Sequence, residues 1–122
     1  MAARRNRHDL ETGRVKLRVG TAEAIPYPGS AFDKVLAVHT VYFWPHLVPP
    51  LREIARVLKP GGRLVLAHRT DPEAALTFPA SVYRFPAEDE VQTALAQARL
   101  VPDHVSRRSF GGATVSFHIA QR

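Results

Sequence analysis

The sequence predicts an α/β fold, and three stretches carry that prediction. The first is Leu51–His68, which reads as an amphipathic helix, a glycine turn and a buried strand. The second is the apolar run Val35–Val38 ahead of that helix, short enough for a strand covered on both faces. The third is the pair Gly111-Gly112, a hairpin turn between two strand-like segments near the C-terminal end of the sequence. A strand, a crossover helix and a second strand form the unit of a parallel sheet, and the hairpin adds an antiparallel edge.

Within Leu51–His68 and just before it, Leu47, Leu51, Ile54 and Leu58 recur at steps of four, three and four, which places them on one helical face. Arg52, Glu53, Arg56 and Lys59 fall largely on the other. Pro49 and Pro50 suit a helix start, where no intrahelical N–H is needed. Pro60 is expected to end the helix, because it donates no hydrogen bond and biases Lys59 away from the helical region. Gly61-Gly62 then takes the turn, and Leu64–Ala67 forms the strand.

Taken in order, Val15–Val19 alternates apolar and basic residues and predicts a short strand. Gly20–Ala31 is a loop. Val35–Val38 is the second strand, and His39–Trp44 leaves it with a dense aromatic group. After the helix and strand, Arg69–Ala80 is read as a loop, broken by Asp71-Pro72 and Phe78-Pro79. Pro86 opens a second helix with Glu88, Asp89 and Glu90 at its positive end and Val91, Leu95 and Ala98 buried. His104–Phe110 and Ala113–Ala120 form the hairpin, with Val115, Phe117 and Ile119 alternating with Thr114, Ser116 and His118. The expected order is β-β-α-β-α-β-β.

The 122 residues are 45% apolar, enough for the core of one domain, and residues 1–14 read as a basic helix or tail leading into it. No cysteine is present, so disulfides, thiolate metal sites and cysteine nucleophiles are excluded. No window approaches the apolar length of a membrane span, and no apolar stretch follows the basic N-terminal residues, so a cytoplasmic protein is expected. The net charge of +6 is concentrated in Arg4, Arg5, Arg7, Arg14, Lys16 and Arg18. Such a cluster attracts nucleic acid when aromatic residues are interleaved for base stacking; none is, and a solvated face is expected instead. His46, His68, His104 and His118 lack ligand spacing, so no metal site is expected.

Three blocks carry a resemblance: Gly20–Asp33 (with Thr21-Ala22-Glu23 and Phe32-Asp33), Val35–Trp44, and Leu51–Gly62 with its Glu53-Ile54 and Arg56-Val-Leu-Lys-Pro-Gly-Gly62. In this order and spacing they resemble class I S-adenosylmethionine-dependent methyltransferases of the ubiquinone/menaquinone-biosynthesis type, in the C-terminal part of that domain. The resemblance implies a Rossmann-like methyltransferase sheet, S-adenosylmethionine as cofactor and a small-molecule methyl acceptor. It implies that Thr21, Ala22 and Glu23 border the adenine, with Thr21 where the family often has an acidic residue. It also implies that His39, Thr40 and Val41 look onto the methionine part of the cofactor. Tyr42, Phe43 and Trp44 are expected to line a substrate pocket or an oligomer contact. Asp33 and Glu53 match family positions and are expected to be structural, Asp33 bonding local backbone and Glu53 pairing with an arginine.

The family's glycine-rich turn, of the form Asp-x-Gly-x-Gly, has no counterpart in these residues. In the family sheet two strands separate the counterparts of Val15–Val19 and Val35–Val38. The sheet is therefore expected to be truncated, with Val35–Val38 at an edge. Three outcomes follow: Val15–Val19 moves over to pair with it, two chains dimerise through the 35–44 edge, or the chain is part of a longer protein or partners another subunit. A methyltransferase that needs the missing half, a non-catalytic oligomeric remnant, and a nucleic-acid binder are the functional readings that remain, in that order.

Overall fold

The computed structural model describes residues 7–122; Arg4 and Arg5 of the basic cluster lie outside the described residues. The elements are α1 (Arg7–Glu11), β1 (Phe32–Val38), a 3-10 turn (Val41–Phe43), α2 (Val48–Val57), β2 (Leu58–Arg69), α3 (Pro72–Thr77), α4 (Glu88–Gln97), β3 (Val101–Phe110) and β4 (Ala113–Gln121). They build one four-stranded sheet of order β1-β2-β4-β3, parallel between β1 and β2 and antiparallel elsewhere. The α/β class and the antiparallel hairpin are as the sequence predicts.

Opposed residues in a sheet share a face, so Leu64, Leu66 and His68 of β2 align with Val35 and Ala37 of β1 and with Ala120, His118 and Ser116 of β4. This face carries the core. Leu51 and Ile54 of α2 and Val91 and Leu95 of α4 pack in one buried cluster with Leu64, Leu66 and Ala120. The opposite face carries Leu36, Val38, Val65, Phe117 and Ile119. Leu36 is 71% exposed and Val38 46% exposed.

Two helical expectations shift at their ends. α2 stops at Val57 and Leu58 is already extended, so Leu58 reaches the core from the start of β2 rather than from the helix. Lys59–Gly62 then bulges out of the ladder, where the β1 register jumps from Phe32↔Leu58 to Lys34↔Arg63. Gly61 takes φ +82°, and a Cβ on Gly62 would lie 2.8 Å from the Lys59 carbonyl oxygen and 3.0 Å from that of Asp33. The segment Arg69–Ala80, expected as a loop, contains α3, whose start Pro72 promotes.

Val15–Val19 is not a strand. It finds no ladder partner among the described residues, Val19 is fully exposed and Leu17 is 51% exposed. Alternation supplies a strand's side-chain pattern, but its backbone groups need a neighbouring strand, and β1 pairs with β2 alone. Arg18 instead lies 4.9 Å over the Tyr27 ring. The movement of this segment onto the β1 edge therefore does not occur. Asp33 likewise pairs with Lys59 at 3.5 Å rather than with local backbone. Glu53 meets expectation: it bonds Arg56 at 2.5 Å and also accepts the Ile25 N–H at 2.7 Å, tying loop 20–31 to α2.

Under α4 the core turns polar. His118 bonds the Gln92 side-chain oxygen through Nδ1 at 2.7 Å, and its Nε2 lies 2.8 Å from His68 Nε2. The ring centroids are 5.0 Å apart, close to that gap plus two ring radii, so the nitrogens point at each other and the contact is an edge-to-edge hydrogen bond. Gln92 Oε1 accepts, so His118 carries its proton on Nδ1 and His68 donates from Nε2. That leaves His68 Nδ1 as a buried acceptor without a partner, as found. Ser116 joins Thr70 at 2.8 Å and donates to Glu88 at 2.8 Å, and Glu88 binds Arg107 at 2.6 Å. The sequence-level alternation along β4 contains Ser116 and His118, but not the fact that the helix-covered face is theirs.

Gly62→Ala is expected to cost about 2 kcal/mol, by forcing two backbone oxygens apart, and Gly61→Ala about 1 kcal/mol through its left-handed backbone; urea denaturation of each variant measures both. Burial, with the neighbouring His118 second, lowers the His68 pKa to about 4, and burial lowers that of His118. The unfolded chain therefore binds more protons than the folded one below about pH 6.5, and stability falls as pH drops from there toward 4. The His68 share is on the order of 3 kcal/mol. A denaturation series from pH 7.5 to 4.5 should show this slope, and His68→Leu combined with His118→Phe should flatten it.

Candidate functional site

Parallel pairing brings the C-terminal ends of β1 and β2 together, the end at which open α/β sheets bind ligands. Val38 pairs with Ala67, and the His39 N–H donates to the Ala67 carbonyl at 3.0 Å. His39 then turns out of the strand with φ +55°, a left-handed conformation uncommon for any residue but glycine. Its ring is held by Tyr42, whose hydroxyl lies 2.7 Å from His39 Nδ1 and accepts the Arg69 N–H at 2.6 Å. The hydroxyl thus bridges the His39 ring and the Arg69 backbone, and burial raises the Tyr42 pKa, so the phenol keeps its proton.

Arg69 closes the end of β2. Its guanidinium forms two bonds to Asp71, at 2.9 and 2.7 Å, and Asp71 also accepts the Thr114 N–H at 3.1 Å. The Arg69 guanidinium holds the Asp71 carboxyl down to about pKa 2. The pair is thus a neutral unit tying the ends of β2 and β4 to the start of α3.

Two hollows open at this end. One, of about 300 Å³, is bordered by Thr21, Ala22 and Glu23 on one side and by Phe43, Trp44, Pro45 and Pro50 on the other. The other, of about 270 Å³, is walled by Tyr42, Phe43, Phe78, Tyr83 and Phe85. His39 and Arg69 complete its lining. Phe43 borders both. A larger surface hollow, of about 660 Å³, lies between α2 and α4 and is bordered by His46, Arg52, Arg84 and Gln97.

The structure therefore gathers Thr21, Ala22 and Glu23 with Phe43 and Trp44, and His39 with Tyr42 and Phe43. Thr40 and Val41 sit behind them: Val41 is buried in the core, and Thr40 Oγ1 is buried without a hydrogen-bond partner. Phe78, Tyr83, Phe85, Arg69 and Asp71 were not singled out in the sequence. Arg69, Asp71 and Phe78 lie in Arg69–Ala80, read as a breaker-rich loop, and Tyr83 and Phe85 in the stretch before Pro86; neither has a periodicity that distinguishes a ring lining a hollow from one capping the core. Among the described residues no group of three or more His, Asp or Glu side chains is placed to hold a metal ion, and no helix is long and apolar enough to cross a membrane.

Comparison with known proteins matches this geometry to a family. A methyltransferase-domain family model matches residues 1–66. The 27-O-demethylrifamycin SV methyltransferase of Amycolatopsis mediterranei is 32% identical over 100 residues, covering 74% of this chain and 37% of that protein. The uncharacterized protein YafE of Escherichia coli K12 is 38% identical over 58 residues, 48% of this chain and 28% of that protein. The chain thus matches between a quarter and two-fifths of the length of these relatives. Among solved structures, the [4+2]-cyclase SpnF superposes with a TM-score of 0.82 at 19% identity, over 99% of this chain and 61% of that one. The matched residues contain loop 20–31, β1, α2 and most of β2, and the chain belongs to the class I S-adenosylmethionine-dependent methyltransferase family.

Proposed function

We propose that residues 1–122 are one unit of an S-adenosylmethionine-dependent methyltransferase, forming one wall of its cofactor crevice. The observation that supports this most is the convergence of Thr21, Ala22 and Glu23 with Phe43 and Trp44 around one hollow at the ligand-binding end of the sheet. Its size and aromatic rim suit a purine ring, for which Thr21, Ala22 and Glu23 supply polar edge contacts. Of His39, Thr40 and Val41, only His39 opens onto the adjoining hollow, whereas Thr40 Oγ1 and Val41 are buried and offer a ligand no surface. The cofactor supplies an electrophilic methyl group on a sulfonium. This chain's residues orient it and exclude water, and need do no proton chemistry for transfer to a reactive acceptor. The glycine-rich turn that the family places against the other side would come from further chain, in the same polypeptide or in a partner.

A second reading has its own observation. β1 is an edge strand with Leu36 and Val38 exposed, which suits pairing with a second copy or another subunit, and the fold, shared with the cyclase SpnF, does not by itself dictate one reaction. In this reading the chain is a non-catalytic oligomer or partner subunit. The nucleic-acid reading rests on the basic cluster, of which Arg14, Lys16 and Arg18 are exposed.

Calorimetric titration with S-adenosylhomocysteine tests the first reading: at most weak heat at millimolar ligand is expected of a single wall, and tight saturable binding by the 122-residue chain alone would overturn the one-wall reading. Sedimentation of Val38→Lys tests the second. Dissociation of an assembly seen in the unsubstituted chain supports it; an unchanged assembly, or a monomer from the start, removes it.

A further inference from the structure

We infer that the chain carries a second binding site, for a compact polyanion of the phosphate class, in the arginine-lined hollow where α2 and α4 end. The hollow, of about 370 Å³, is bordered by Arg52 and Arg56 of α2, Arg99 just past α4 and Arg122 just past β4. Buried Ala55 and Ala98 lie between these arginines. α2 leaves the C-terminal end of β1 and delivers the chain to the N-terminal end of β2, where the Arg122 N–H donates to the Gly62 carbonyl at 2.9 Å. The hollow therefore lies at the opposite end of the sheet from the proposed cofactor wall, and the inference does not depend on the methyltransferase reading.

Local structure explains why four guanidiniums meet here. Arg52 and Arg56 are four residues apart and share a helical face. Arg122 Nη1 donates to the carbonyl oxygens of Leu58 and Arg56 and to Ser30 Oγ, which pins this side chain across the end of α2. Arg99 takes φ +65° at the close of α4, a conformation that glycine adopts without steric cost. A guanidinium stands there instead. Its charge and those of its neighbours are not cancelled. Glu53 holds Arg56 at 2.5 Å, but among the described residues no carboxylate lies within ion-pair distance of Arg52, Arg99 or Arg122. Asp89 and Glu90 border the neighbouring, larger hollow, where Arg84 takes Glu90 and Asp89 accepts the Glu90 N–H. The C-terminal ends of α2 and α4 contribute about half a negative charge each, so the hollow keeps an excess of about two positive charges. Like charges held together repel, and a divalent or more highly charged anion relieves that repulsion. Guanidiniums meet phosphate oxygens in paired hydrogen bonds. The lining carries no aromatic ring on which a base could stack, so the phosphate groups themselves are what it recognises.

Calorimetric titration of the 122-residue chain with diphosphate, sulfate and ADP tests the site. Saturable binding of diphosphate is expected, weakening as salt is raised and at least about tenfold tighter than sulfate, which presents a single tetrahedron to the guanidiniums. ADP binding as tightly as diphosphate supports the site and assigns it to a nucleotide's phosphate chain; diphosphate binding without ADP supports it and assigns it to the free anion. Arg52→Gln with Arg99→Gly should weaken diphosphate at least about tenfold. Arg99→Gly alone should leave the melting temperature unchanged or raise it, since it removes the left-handed strain, so its loss of binding is not a loss of fold. Arg14→Gln with Arg108→Gln removes the same charge outside the hollow and should change the affinity less than about twofold. No saturable binding of diphosphate, sulfate bound as tightly, or an equal loss in the Arg14 and Arg108 pair would overturn the proposal.

Discussion

Parallel pairing of β1 with β2 is the constraint on which the rest of the structure depends. A parallel pair needs a crossover, which α2 provides, and the crossover places both strand ends on the same side. His39 and Arg69 thereby become neighbours although thirty residues of sequence separate them. The Tyr42 hydroxyl spans them, bonding one ring nitrogen and one backbone N–H. If the register slipped by one residue, Leu64 and Leu66 would face solvent and the Tyr42 bridge would have no partner. The hydrophobic core and the candidate site are specified by the same ladder.

The polar groups of the sheet are arranged in compensated sets. At the strand ends, Arg69 and Asp71 neutralise each other and leave an aromatic wall to define the hollow. Beneath α4, Glu88 is matched by Arg107 and Ser116, and the two histidines by each other and by Gln92. A buried imidazole is tolerated as long as it stays neutral and bonded, so this layer holds α4 to β2 and β4 directionally where leucines would leave its position less defined. The apolar cluster beside it, from Leu51 to Leu95, supplies the non-directional part.

The elements best read from the sequence were those whose pattern is local. The helical spacing of Leu47, Leu51 and Ile54, the positive φ at Gly61 and the hairpin at Gly111-Gly112 each express a preference of a few adjacent residues, although Gly61-Gly62 forms a bulge inside β2 rather than a turn before it. Val15–Val19 failed for the complementary reason: its alternation is local, but a strand exists only with a neighbour, and none stands beside it. Thr21, Ala22, Glu23 and His39 to Trp44 were identifiable through family resemblance rather than through any periodicity. Phe78, Tyr83 and Phe85 were not, because rings in an irregular segment carry no sequence signal of the direction in which they face.

By itself, then, the sequence determined the α/β class, the central crossover helix, the closing hairpin and the methyltransferase kinship, all of which rest on contiguous residues. Only the tertiary structure decided that Val15–Val19 leaves the expected β1 edge unpaired, with Leu36 and Val38 uncovered on one face. Only it showed that His68 and His118 are joined by a buried hydrogen bond, and that Phe43 stands between two hollows. Each of these depends on which segments meet in space, and contact between distant segments is set by strand register and helix packing, neither of which a local pattern contains.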